Sequence, residues 1–249
     1  MRAAQGPREQ SQGVPAPGPQ PQGGVLGHAK LLAEQGRYAE AEAIYRRYIA
    51  DNPNDPSGYF AVGLLYELLW NNSGSEEMLK KAVALDPRSD PYCSELGRIL
   101  WKQDKFAEAA EVLRRCTALN PNRDVTWVDL AYCLEKLGRN DEAEACLRKA
   151  VALSPTNHRT YVRFADFYER QGRGAELEAL LTDALQRQPT NDIIVGRLGL
   201  YWLRRGDGEK AELWYRRAGD LRALHGYPNT HVNYQRLVQA LTERGIRLV

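Results

Sequence analysis

Five prolines of this chain recur at a constant interval of 34 residues: Pro53, Pro87, Pro121, Pro155 and Pro189. A period of this length is typical of repeat architectures, in which one supersecondary unit is copied along the chain and each copy packs on the next. Six registers of 34 residues extend from residue 22 to residue 225. The spacing therefore restricts the fold to an array of similar units before any single residue is interpreted.

The repeated unit is predicted to be a helical hairpin, as the fourth copy (124–157) shows. Apolar residues first recur at helical spacing, which predicts one buried stripe: Trp127, Leu130, Ala131 and Leu134. Gly138 then suits the left-handed position that ends a helix. A second stripe follows: Ala143, Leu147, Ala150 and Val151. Pro155 cannot continue a helix, so it closes the unit.

The same alternation of small and bulky side chains runs through all six predicted repeats: 22–55, 56–89, 90–123, 124–157, 158–191 and 192–225. Position 8 is small in each of them: Ala29, Gly63, Gly97, Ala131, Ala165 and Gly199. Position 24 is bulky: Tyr45, Leu79, Leu113, Leu147, Leu181 and Tyr215. Small positions that face large ones let adjacent helices interlock without voids. Because one hairpin cannot cover its own apolar face, neighbouring hairpins must stack.

This pattern resembles the tetratricopeptide repeat: small residues at positions 8, 20 and 27, bulky ones at 4, 7, 11 and 24, and proline at 32. The resemblance covers about four-fifths of the chain. It implies an all-α, right-handed superhelical solenoid of six helix-turn-helix repeats, followed here by a C-terminal helix. It also implies a non-catalytic scaffold for protein–protein interaction, which binds a peptide or a helix of a partner protein in a concave groove.

Three repeats depart from the pattern, and each departure carries an expectation. In the second repeat the run 70–75 replaces the usual glycine turn, which predicts a distorted turn. In the fifth, Leu177 at position 20 is expected to push the two helices apart. In the sixth, Ala223 replaces the closing proline, so the last helix is expected to run on toward Gly226.

By the resemblance, positions 2, 5, 6, 9, 12 and 13 of each first helix face the groove. The candidate partner-binding residues are therefore Phe60, Leu64, Arg98, Trp101, Asp129, Tyr132, Arg163 and Asp166. Tryptophan, tyrosine and arginine are the residues most often found at interface hot spots. Trp101 is the strongest candidate because it lies outside the packing stripe. Position 6 also changes from acidic to basic along the chain: Glu95, Asp129, Arg163 and Arg197. This pattern is compatible with a polarised groove that orients a peptide and equally with an ordinary solvated face.

Two known subclasses of the family fit the groove positions poorly. The chaperone-binding carboxylate clamp needs lysine, asparagine and arginine at set positions, and only Arg159 and Arg163 resemble it. Asp129 would moreover repel a carboxylate at close range. The asparagine-lined superhelix of the O-linked N-acetylglucosamine transferases needs asparagine at position 6, where this chain has none.

Composition excludes several other classes of function. The formal net charge is only +2, and there is no basic stripe interleaved with aromatic residues, so nucleic acid is not an expected partner. The longest apolar stretch is about twelve residues, whereas a membrane span needs about 20. No catalytic motif, metal-ligand spacing or cofactor motif occurs, so no enzyme activity, metal or cofactor is predicted. The four cysteines are expected to be small buried thiols, which favours a reducing, cytoplasmic compartment.

The two ends of the chain differ from the repeats. Residues 1–21 are rich in proline, glutamine and glycine, which predicts a disordered leader. Residues 226–249 are predicted to form a helix and a short apolar, strand-like stub that resembles the opening of an SGNH-type esterase domain. This leaves an alternative function open, namely a regulatory or substrate-presenting arm of a larger enzyme whose α/β domain is missing from this chain. Self-assembly by end-to-end stacking of the apolar terminal faces is a further expectation.

Overall fold

A computed structural model describes residues 24–225 together with Gln239, Thr242 and Glu243. The predicted leader and most of the predicted C-terminal helix and stub lie outside the described residues. Within them, every regular element is an α-helix. The helices are α1 (Gly24–Glu34), α2 (Tyr38–Asp51), α3 (Pro56–Leu68), α4 (Asn72–Leu85), α5 (Asp90–Lys102), α6 (Phe106–Leu119), α7 (Asp124–Lys136), α8 (Asn140–Leu153), α9 (His158–Arg170), α10 (Gly174–Arg187), α11 (Asp192–Arg204) and α12 (Gly208–His225). The expected all-α fold is confirmed.

The helices belong to two compact units, with the division between Leu85 and Asp86. In the first unit α1 packs on α2, α3 packs on α4, and α3 also contacts both preceding helices. In the second unit α5 to α12 form four such hairpins, and the first helix of each packs against the first helix of the next. Each hairpin thus buries its apolar face against its neighbours within the unit, as a stacked array requires.

Close approach of the two helices in a hairpin depends on the small residue at position 8. A Cβ atom placed on Gly97 would lie 2.6 Å from the Leu113 side chain, and one placed on Gly63 would lie 2.9 Å from Leu79. Each of these leucines occupies position 24 and is fully buried. The predicted interlocking of small and bulky positions is therefore confirmed by direct contact.

Two of the three predicted departures are confirmed. Leu177 is completely buried between α9 and α10, and these are the least closely apposed helices of any described hairpin. The last helix, α12, has 18 residues where the preceding second helices have 14, and it runs on to His225. Loss of the closing proline therefore lengthens this helix, because nothing in the sequence stops it earlier.

The prediction of a distorted turn in the second repeat is wrong. The turn between α3 and α4 retains the left-handed residue of the other turns, and Trp70 takes that conformation with φ +60°. Glycine occupies the equivalent position in four other turns: Gly36, Gly138, Gly172 and Gly206. The hairpin geometry demands this conformation, so Trp70 adopts it although its Cβ atom is unfavourably placed there.

We expect Trp70→Gly to raise the free energy of unfolding by about 1 kcal/mol, because glycine has no Cβ atom to strain. The substitution forfeits little packing, since the Trp70 side chain is 87% exposed. Urea unfolding followed by circular dichroism measures the difference. Trp70→Ala is the matched control, because it removes the same ring but keeps the Cβ atom. Equal stabilities of the two variants would show that the Cβ atom at position 70 causes no backbone strain.

The expectation of four free thiols also needs correction. Cys93 on α5 and Cys116 on α6 form a disulfide, with their Cα atoms 5.8 Å apart. They are 23 residues apart in sequence, but positions 4 and 27 of a repeat face each other across the hairpin. The disulfide removes the argument that unpaired cysteines gave for a reducing compartment.

Cys133 and Cys146 are free and buried, as expected. Burial raises the pKa of the Cys133 thiol to about 12 and that of Cys146 to about 11, so both are unreactive at neutral pH. No described helix is long and apolar enough to cross a membrane.

Candidate functional site

A pocket opens in the second unit between α7 and α9, with α5 at one side. Its volume is about 120 Å³, and its lining residues are Trp101, Val128, Asp129, Ala131, Tyr132, Glu135, Leu147, Arg163, Phe167 and Arg170. An engineered apolar cavity of about 150 Å³ accommodates a benzene molecule. The pocket is therefore of a size to take one bulky side chain.

Four of the eight candidate residues meet in this pocket: Trp101, Asp129, Tyr132 and Arg163. They come from three successive first helices, α5, α7 and α9. Groove positions share one face of each helix because they are three, four or seven residues apart. Stacking of the hairpins then brings these faces side by side, and residues that are far apart in sequence line one depression.

Trp101 and Tyr132 form the aromatic wall of the pocket. Their ring centroids lie 5.3 Å apart in an edge-to-face arrangement, and the Nζ atom of Lys136 lies 5.4 Å from the centre of the Tyr132 ring. Trp101 is half-buried, and its indole N–H is buried without an acceptor among the described residues. The ring thus packs on the following repeat and lines the pocket as well.

Asp129 lies half-buried beside the aromatic wall, and no hydrogen bond or ion pair joins its carboxylate to another described residue. Loss of hydration on burial raises the pKa of Asp129 to about 6, and the nearby Arg98 and Arg163 only partly offset this effect. Arg163, one helix further along, is exposed and likewise has no ion-pair partner in the described part of the chain. A carboxylate and a guanidinium thus line the same pocket without bonding to each other.

The other two charged residues of the pocket are paired. Arg170 donates two hydrogen bonds to the Glu135 carboxylate, from Nε at 2.6 Å and from an Nη atom at 2.8 Å. Such bidentate pairs are geometrically specific. The equivalent positions of the next two repeats form the same bridge, between Glu169 and Arg204 at 2.5 Å. This ion pair therefore links neighbouring first helices and fixes one rim of the pocket.

Arg98 and Asp166, two of the candidate residues, do not line the pocket. Arg98 forms an ion pair with Glu95 on its own helix. Asp166 accepts a hydrogen bond at 2.6 Å from Arg197, which is 5% exposed and also contacts Glu169. The predicted polarity along position 6 is reduced accordingly. Glu95 and Arg197 are neutralised within the chain, so in the part that the structure describes only Asp129 and Arg163 of that series lack an ion-pair partner.

Phe60 and Leu64, the remaining candidates, lie on α3 in the first unit. Phe60 is half-buried, whereas Leu64 is 37% exposed. Neither residue lines the pocket, whose lining residues all belong to the second unit.

The sequence patterns missed a polar network that recurs between repeats. Glu144 accepts hydrogen bonds from Arg173, from Arg148 at 2.6 Å and from the Tyr168 hydroxyl at 2.9 Å. In the first unit the equivalent positions form the same triad: Glu42, Arg46 and Tyr66. Glutamate at position 21, arginine at 25 and tyrosine at 11 of the next repeat are the sequence signal that would have revealed it.

Three family models, each described as a tetratricopeptide repeat, match the chain over residues 24–65, 100–159 and 162–223. No curated protein sequence matches it. The structure is similar to a crystal structure of MamA, with a TM-score of 0.59 and 24% identity, over 65% of this chain and 94% of that one.

Two further solved structures cover more of the chain. PilF of Pseudomonas aeruginosa matches with a TM-score of 0.62 and 16% identity, over 86% of this chain and 95% of that one. PilW, described as a widely conserved type IV pilus biogenesis factor, matches with a TM-score of 0.66 and 16% identity, over 86% and 96%. At these identities the likeness establishes the fold alone, an all-α solenoid.

Proposed function

Because this chain belongs to the tetratricopeptide repeat family, whose members generally act as protein-interaction scaffolds, we propose that it is a non-catalytic scaffold that binds a partner protein. The binding surface is the pocket around Trp101 and the groove face that surrounds it. A peptide or a helix of the partner lies across α5, α7 and α9 and places one side chain in the pocket.

The observation that carries this proposal is the meeting of Trp101, Asp129, Tyr132 and Arg163 at one pocket. Tryptophan, tyrosine and arginine dominate interface hot spots, and hot spots concentrate in pockets that a partner desolvates. Asp129 and Arg163 have no ion-pair partner among the described residues, so both charges are available to a ligand. The other two charged residues of the pocket lining, Glu135 and Arg170, neutralise each other, so the charge selectivity of the pocket depends on Asp129 and Arg163.

We expect Arg163→Glu to weaken partner binding by about tenfold or more, because it reverses the one exposed and unpaired charge of the pocket. The probe is a peptide selected on the intact protein from a displayed library of random sequences, and its affinity is measured by fluorescence anisotropy. Arg115→Glu on α6 is the matched control, since Arg115 is also exposed but lies outside the pocket.

Trp101→Ala provides the second arm of the same experiment, with Trp70→Ala as its control. Far-ultraviolet circular dichroism verifies that each variant is folded. If the selected peptides bind the Arg163 and Trp101 variants as tightly as the intact protein, the pocket is not the binding surface. Equal losses in the control variants would point to a non-specific effect of charge or of ring removal.

Self-association by end-to-end stacking is a separate proposal. Leu213 on α12 is 64% exposed, which leaves apolar surface on the last described helix. Light scattering over a concentration series determines whether the mass rises above that of the monomer.

A further inference from the structure

The charges of the pocket limit what can enter it. Its four charged side chains are Asp129, Glu135, Arg163 and Arg170, and the pair Glu135–Arg170 is internally neutralised. Asp129 and Arg163 carry opposite charges, so the lining as a whole is close to neutral. A ligand with a net charge at this point would leave one of the two without compensation. Charge complementarity therefore favours an uncharged group.

The polar atoms of the pocket call for a group that both donates and accepts hydrogen bonds. Asp129 needs a donor, because its carboxylate lies half-buried in the pocket lining and accepts no hydrogen bond from a described residue. Arg163 needs an acceptor, because its exposed guanidinium has no ion-pair partner among the described residues. A single amide group provides an N–H and a C=O on opposite sides, and so it can serve both requirements at once.

The floor of the pocket is apolar. Phe167, Leu147 and Ala131 are each at most 3% exposed, and they lie below the aromatic wall of Trp101 and Tyr132. The volume of about 120 Å³ fits one bulky apolar side chain. Such a side chain would exclude water from the polar rim of the pocket and so strengthen the hydrogen bonds there.

We propose that the pocket binds an extended, uncharged segment of the partner by its main chain, with a neighbouring bulky apolar side chain inserted on the floor of Phe167 and Leu147. One main-chain N–H donates to Asp129, and the adjacent C=O accepts from Arg163. This inference rests on the proposed function, and it favours an extended peptide over a helix as the bound segment of the partner. The main-chain N–H groups in the body of a helix are already bonded within the helix, so a helical partner could not satisfy Asp129 in this way.

The test uses peptides selected on the intact protein from the displayed random library and resynthesised with single amide-to-ester substitutions. An ester replaces one main-chain N–H by oxygen and so removes one donor at a time. We expect a single position, next to a bulky apolar residue, at which the ester weakens binding about tenfold, as for one hydrogen bond to a charged group. Esters at the other positions should change the affinity less than about threefold, and they serve as internal controls.

Repeating the ester scan with the Asp129→Ala protein determines whether the sensitive N–H of the peptide donates to Asp129. The ester at that position should no longer weaken binding, because the acceptor is gone. Sensitivity that persists in Asp129→Ala, a scan without any sensitive position, or selected peptides that share a charged anchor would each overturn the inference. These outcomes leave the proposed function intact as long as Arg163→Glu still reduces affinity. A library that yields no binder dependent on Arg163 overturns both.

Discussion

Glu144→Gln should lower the free energy of unfolding by about 2 to 3 kcal/mol at pH 7. The Glu144 carboxylate is mostly buried between repeats, with 14% of its side chain exposed. Burial alone would raise its pKa, but hydrogen bonds from Arg173, Arg148 and Tyr168 outweigh this effect and lower the pKa to about 2. Burial, together with the hydrogen bond to Glu144, raises the pKa of Tyr168 to about 12. Glutamine keeps the shape but loses the charge that holds these donors.

The loss of stability caused by Glu144→Gln should become smaller as the pH falls. Because the folded protein lowers the pKa of Glu144 from its ordinary value near 4.5 to about 2, ionisation of this group stabilises the fold. That stabilisation is complete above about pH 5 and disappears as the pH falls toward 2. Urea unfolding of both proteins at pH 7 and at pH 3 measures it. We expect the difference between wild type and variant to shrink at the lower pH.

Glu142→Gln is the control, two residues away on the same helix. Glu142 pairs with Arg139 at 2.5 Å, but about half of its side chain is exposed. Exposed pairs contribute at most about 1 kcal/mol, so this variant should change stability by less than that. If Glu142→Gln and Glu144→Gln destabilise the protein equally, the network around Glu144 contributes no more than an ordinary surface ion pair.

Asp129→Asn should have the opposite effect and raise the free energy of unfolding by about 2 kcal/mol at pH 8. Burial raises the pKa of Asp129 to about 6, so the folded protein disfavours the ionised carboxylate that neutral pH imposes. Asparagine removes the charge and keeps the shape. An ionisable group that destabilises its own fold is typical of binding and catalytic sites, which fits the place of Asp129 in the pocket.

The gain from Asp129→Asn should vanish in acid. A carboxyl group whose pKa is raised on folding stabilises the folded protein when it is protonated. This contribution to the free energy of unfolding is lost as the pH rises through about 6. Wild type and variant should therefore have similar stabilities near pH 4 and differ most at pH 8. Glu111→Gln, at an exposed site on α6, should change stability by less than about 0.5 kcal/mol at either pH. A pH-independent difference for Asp129→Asn would rule out ionisation as its cause.

The sequence was sufficient for whatever depends on periodicity along one helix or one hairpin. The small residues at position 8, such as Gly97, face bulky residues at position 24, such as Leu113, because the two helices of a hairpin are in fixed register. The extension of α12 followed from the missing proline. The groove face was also predictable in part, since Asp129 and Arg163 occupy equivalent positions on successive first helices and line one pocket. These features repeat, so six copies of the pattern reinforce one another.

The tertiary structure decided what each polar group contacts, because a partner in the next helix is 20 to 35 residues away and leaves no local pattern. Asp166 and Arg163 are both charged groove residues in the sequence, yet Asp166 is held by the buried Arg197, whereas Arg163 has no ion-pair partner among the described residues. The disulfide between Cys93 and Cys116 likewise joins residues that no motif connects. The left-handed conformation of Trp70 arises because the packed hairpin determines its turn, whatever residue the sequence supplies there. Periodic packing is encoded along the chain, whereas burial, pairing and strain are properties of helices already stacked.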